Sequence, residues 1–207
     1  MHLPGDTMSV KTKLGEASAH HAYLDLGEGN YKIQHLQLAD SEIHYDRNYE
    51  PKVQGIDYNH LALSKLYLTA NSFSYGKSQL GINVGAASFH EQSGLTVNHL
   101  QGAFAMDSLR LSLPSMALKT PSGTNLVLNY AMDLNAFDKK APGTMSAKVR
   151  GQVSRLDLMT FIGTSLPHGL AHKWPSQPLV IVGAIGGNMQ KARLKDVNIH
   201  IPTVAKL

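Results

Sequence analysis

Apolar and polar residues alternate along most of this chain, and a period of two leaves few folds open to it. Leu126, Leu128, Tyr130, Met132 and Leu134 share one parity, while Asn125, Asn129, Asp133 and Asn135 share the other. Leu109, Leu111 and Leu113 alternate with Arg110 and Ser112. Leu80, Ile82, Val84 and Ala86 alternate with Gly81, Asn83 and Gly85. Val197, Ile199 and Ile201 alternate with Asn198 and His200. This is the pattern of strands that bury one face and wet the other. Turn residues separate the runs at Gly27-Glu28-Gly29-Asn30, Ser93-Gly94, Thr120-Pro121-Ser122-Gly123 and Ala141-Pro142-Gly143. About ten strands are expected, and almost no helix.

One segment departs from the pattern. From Ser154 to Gly163, Leu158 and Ile162 stand four apart, Ser154 suits the cap before a helix and Gly163 its end. A short helix is predicted near 154–163, followed by a loop through Pro167, Trp174, Pro175 and Pro178. The sheet resumes at Leu179.

The chain also repeats itself. Residues 33–45 and 63–75 carry apolar side chains at matching positions: 33/63, 36/66, 38/68, 43/73 and 45/75. Both copies change apolar parity midway, which requires a bulge or bend near Ala39-Asp40-Ser41 and near Thr69-Ala70-Asn71. A looser echo at residues 109–118 places Pro114 at the change of parity.

Several functional classes are disfavoured. The 43% apolar content and 16% charged content do not suit a disordered tail. Apolar runs reach only about four residues, as in Leu179-Val180-Ile181-Val182, against the roughly 20 that a membrane-spanning helix needs. The absence of Cys removes disulfides and thiolate metal sites. A net charge of +4 is spread thinly, its densest cluster being Lys191, Arg193 and Lys195, so nucleic acid is not expected as a partner. His168 and His172 have helical metal-ligand spacing, but Pro167, Gly169 and Pro175 oppose a helix there, and no carboxylate lies between residues 158 and 195. Adjacent His20 and His21 point to opposite faces of a strand. Gly183, Gly186 and Gly187 lack the spacing and the Lys-Ser/Thr pair of a phosphate loop, so a bulge is expected there. No GxSxG motif is present. Asp25, Glu28, Asp40, Glu42 and Asp46 are scattered in direction by alternation and turns. The reading is therefore non-enzymatic, with no metal and no cofactor. Trp174 is expected to plug the end of a core.

Gly55-Ile56-Asp57-Tyr58-Asn59-His60-Leu61-Ala62-Leu63, then Ser72-Phe73-Ser74-Tyr75-Gly76, resemble the repeats of TamB-like proteins, within the wider AsmA-like group of bacterial envelope proteins. The resemblance continues through Glu91 to Leu95, Gly102-Ala103-Phe104, Leu118 to Pro121, Asp157-Leu158 with Phe161, and Gly183 to Met189. It spans about residues 30–201.

The resemblance implies an elongated antiparallel sheet curled into an open apolar trough. It implies a place in the periplasm of a Gram-negative envelope, with phospholipid acyl chains as cargo. It also implies support for outer-membrane protein assembly, through a partner met by other parts of such a protein. The chain, 1–207, reads as one internal β-repeat segment of a larger protein, without the family's anchor helix, and with a helix-loop excursion over 154–178. The expected lining is Leu36, Leu38, Leu66, Leu68, Ile82, Val84, Leu126, Leu128, Val180 and Val182. Two readings compete with it. One is a structural β-repeat or adhesin-type scaffold with no ligand. The other is a β-solenoid carbohydrate enzyme, which a 7% aromatic content with one Trp disfavours.

Overall fold

A computed structural model describes residues 6–12, 17–25, 30–47, 50–57, 59–76, 78–162, 175–188 and 190–202. Its strands are β1 (Asp6–Thr12), β2 (Ala17–Asp25), β3 (Asn30–Arg47), β4 (His60–Gly76), β5 (Gln79–Glu91), β6 (Thr96–Met106), β7 (Arg110–Lys119), β8 (Asn125–Asp133) and β9 (Met145–Val153). The helix α1 (Arg155–Ile162) precedes β10 (Leu179–Gly187) and β11 (Ala192–His200). All eleven strands belong to one sheet, in which β3 to β11 pair with their sequence neighbours. Every pairing is antiparallel. β1 and β2 lie end to end along β3, pairing its residues 41–47 and 30–38. Together they act as one interrupted edge strand. The other edge is β11, so the sheet is open, not a barrel. Among the described residues, no helix is long and apolar enough to cross a membrane.

The expected mainly-β sheet with one short helix is what the chain forms. Ser154 caps α1 as its side chain suggested: the Asp157 N–H donates to its Oγ at 3.1 Å.

The two repeat copies are the facing arms of the β3–β4 hairpin. Ile33 pairs with Phe73, Leu38 with Leu68 and Ile43 with Leu63. The expected changes of parity occur. The β3–β4 register shifts between Leu38 and Ser41, at Asp40, whose φ is 41°. The β4–β5 register shifts on either side of Ala70. A further bulge, not foreseen, sits at Lys65 with φ 49°. Ser115, φ 54°, follows Pro114 in the bulge of β7, and Asp196, φ 50°, marks one in β11. These four are the described non-glycine residues of positive φ, and each sits at a bulge.

The bulges are aligned from strand to strand. Asn71 side-chain nitrogen lies 3.5 Å from where a Cβ on Gly85 would stand. Val84 pairs with Gly102, and a Cβ on Gly102 would meet the Met116 Cα at 2.8 Å, beside Ser115. The Ser115 N–H then donates to Asn129 Oδ1 at 2.7 Å. Asn129 pairs with Lys148, Lys148 with Ala184, and Ala184 with Lys195, next to Asp196. Each bulge bends its strand and increases local twist, so a line of them creases the sheet.

Two glycines test this backbone. A Cβ at Gly151, φ 142°, would stand 2.0 Å from the Asn125 carbonyl oxygen, whereas one at Gly94, φ 97°, would meet nothing within 4 Å. We expect Gly151→Ala to cost at least about 2 kcal/mol and Gly94→Ala about 1 kcal/mol, since only the first adds a backbone clash to the strain of positive φ. The shift in urea midpoint measures both.

Candidate functional site: the apolar face of the sheet

Directly paired residues project from the same face of an antiparallel sheet. One row can therefore be followed across nine strands: Leu38, Leu68, Ala87, Leu100, Leu118, Leu126, Gly151, Ile181 and Ile199. It contains no polar side chain. Its eight interstrand steps, at about 4.8 Å each, give it a length of roughly 38 Å. A second row runs parallel to it through Tyr31, Tyr75, Leu80, Met106, Leu111, Met132, Met145 and Gly187. Between them lie Leu36, Ala70, Val84, Gly102, Met116, Leu128, Val149 and Gly183. The bulges keep these rows on one face. At Gly85 the parity shifts, so that Ala87, not the expected Ala86, continues the run of Leu80, Ile82 and Val84.

Of the expected lining residues, Leu36, Leu38, Leu66, Leu68, Ile82, Val84, Leu126 and Leu128 project from this apolar face. Val180 and Val182 do not. Leu128 pairs with Val149 and Val149 with Gly183, whereas Val182 pairs with Arg150, which pairs with Val127. Val180 and Val182 therefore lie on the polar face, and Ile181 takes their place. The cause is local: β10 reads Leu-Val-Ile-Val and is apolar on both parities, so only its register on β9 selects the face. The sequence signal that was missed is the parity of β9, where Lys148 and Arg150 alternate with Ala147 and Val149.

Cover over the apolar face varies. Leu66, Val84, Ala87 and Val97 are buried, and most of its other side chains are half-buried. Towards β11 it opens: Ile185, Leu194, Val197 and Ile199 are exposed, Leu194 to 69%.

Two polar clusters pin one rim of the sheet. At the β3–β4 end, Asp57 accepts the Val53 N–H at 2.8 Å and the Asn59 N–H at 3.0 Å, and lies 2.8 Å from His60 Nδ1. His60 Nε2 stands 3.5 Å from Asp46, and the Gln92 amide donates to the His60 carbonyl. The Val53 N–H first, then His60 and the Asn59 N–H, outweigh burial and hold the Asp57 carboxyl below its ordinary value.

At the β7–β9 end, Asp157 of α1 is buried, and its Oδ2 accepts from the hydroxyls of Thr120, Ser122 and Thr124. Burial pushes this carboxyl up. The hydroxyls of Ser122, Thr120, Thr124 and Ser154 outweigh it, and the net direction is downward. The cluster fastens α1 across the β7–β8 turn and the end of β9.

Among the described residues, no three of His, Cys, Asp and Glu are grouped to hold a metal ion. His20 pairs in register with His35. His168, His172 and Trp174 lie outside the described residues. Along the three rows traced above, the apolar face carries aliphatic, thioether and tyrosine side chains, with no carboxylate, imidazole or amine among them. Its chemical capacity is to cover apolar matter along its length.

No family model, no curated protein and no solved structure matches this chain.

Proposed function

We propose that this chain is a β-trough segment of the TamB-like kind, whose apolar face carries phospholipid acyl chains between membranes in the periplasm of a Gram-negative envelope. The observation that carries the reading is the uninterrupted row from Leu38 to Ile199. Each methylene covered there contributes about 0.8 kcal/mol. Because the row holds no polar side chain, an acyl chain moving across the strands meets no barrier of desolvated charge. Support for outer-membrane protein assembly belongs to the same reading, with the partner engaged by further parts of a longer protein.

The test is to purify the segment from a bacterial envelope, extract it with organic solvent and weigh bound lipid by mass spectrometry. Stoichiometric phospholipid is expected, and its loss in a folded Leu128→Asp variant. A folded protein without lipid would overturn the reading in favour of a ligand-free structural repeat.

A further inference from the structure

The face opposite the apolar rows has its own character between β8 and β11. One row there reads Val127, Arg150, Val182 and Asn198, and the next reads Asn129, Lys148, Ala184 and Lys195. Arg193 follows beside Gly186. Lys148, Arg150, Arg193 and Lys195 are all exposed, and Lys119, on the same face of β7, adds a fifth cation. Lys148 and Arg150 lie more than 40 positions before Arg193 and Lys195 in sequence, and the β9–β10–β11 register gathers the four. Asp196, at the β11 bulge, is the acidic residue beside them, and it makes no ion pair of 4 Å or less with them. The floor between β9 and β11 is built from small side chains. Two clefts of about 520 and 540 Å³ share Ala184 and Lys195, and so run together along it.

Charge is only half of the patch. Val127 and Val182 flank Arg150 directly and are 45% and 41% exposed. Cations around exposed aliphatic side chains suit a surface that is anionic outside and apolar beneath. The long stems of Lys and Arg lie along the apolar part while their heads reach phosphate. An acidic peptide would satisfy the cations but leave the valines without a counterpart.

We propose that the polar face of β8–β11 docks on an anionic phospholipid bilayer surface, a role separate from whatever the apolar face carries. Each cation near such a surface strengthens binding roughly fivefold, and the effect is screened within about 10 Å at 0.1 M salt.

The experiment is sedimentation of the chain with vesicles of phosphatidylcholine alone or with 30% phosphatidylglycerol, as a mole fraction of roughly the anionic content that creates a surface potential. Binding is expected only to the anionic vesicles and is expected to fall when salt is raised to about 0.5 M. Lys148→Glu with Lys195→Glu should weaken it at least about 25-fold. Lys139→Glu with Lys140→Glu, both exposed in the 134–144 loop, should leave it unchanged, with circular dichroism confirming that both pairs fold. Equal binding to the two vesicle types would overturn the proposal, as would equal loss in the two pairs of variants. Binding to polyglutamate with no preference for anionic vesicles would also overturn it, and would assign the patch to an acidic protein partner.

Discussion

Ile181→Asp should abolish lipid retention, while Val182→Asp, one residue along, should leave it intact. This contrast is the sharpest expectation from the register of β10. Ile181 pairs with Gly151 and Ile199 in the apolar row, and Val182 pairs with Arg150 and Asn198 on the other face. A carboxylate at 181 would have to be desolvated whenever an acyl chain covered it, at a cost of several kcal/mol. That outweighs the roughly 0.8 kcal/mol that each nearby methylene returns. A carboxylate at 182 stays in water beside a cation. Both strand positions are only partly covered, so both variants should fold. Lipid mass spectrometry on the two proteins decides the point. Equal lipid in both would remove the assignment of faces, and loss in Val182→Asp alone would reverse it.

Asp157→Ala should be the most destabilising change on the rim. Its carboxylate accepts three hydroxyl hydrogen bonds at one oxygen, from Thr120, Ser122 and Thr124, in a buried site. Truncation leaves those donors facing an apolar methyl, for a loss of about 3 kcal/mol. Asp157→Asn, which keeps an acceptor oxygen, should lose less. Because the folded carboxyl titrates below its ordinary value of 3.8, it stabilises the fold fully above that value. The contribution fades as pH falls through the lower folded value. Urea denaturation of wild type and Asp157→Ala, at neutral pH and near pH 3, should show the difference between them shrinking in acid. A constant difference would mean that the charge of Asp157 contributes nothing and only its shape matters.

How far the sequence could be read depended on the strand. β8 alternates cleanly, and Leu126 and Leu128 sit on the face their parity implies. The bulge beside Pro114 was legible because proline cannot donate to a ladder. The bulge at Lys65 was not, since Lys gives no sign of a positive φ. β10 failed because both of its parities are apolar, and a strand of that kind takes its orientation from a neighbour. Gly85 looked like one more small residue in an alternating run, yet its bulge moves the next inward position from Ala86 to Ala87. Asp157 falls within the helix predicted near 154–163, but its three hydroxyl partners lie 33 to 37 residues away, beyond any local pattern. The basic patch was visible only as Lys191, Arg193 and Lys195. Lys148 and Arg150 join it through pairing alone.

The sheet adds each strand from β4 onward to the one that precedes it in the chain, and no long crossover interrupts the order. Such a molecule behaves like a zipper: contact with the rest is lost one tooth at a time from an open end, and regained the same way. One open end is β11, held by β10 alone and exposed along its whole length. Amide protons should therefore exchange in a gradient, fastest in β11 and slowing towards the middle strands. The same arrangement suits a chain that emerges from a pore N-terminus first, because each strand from β4 onward finds its template already in place.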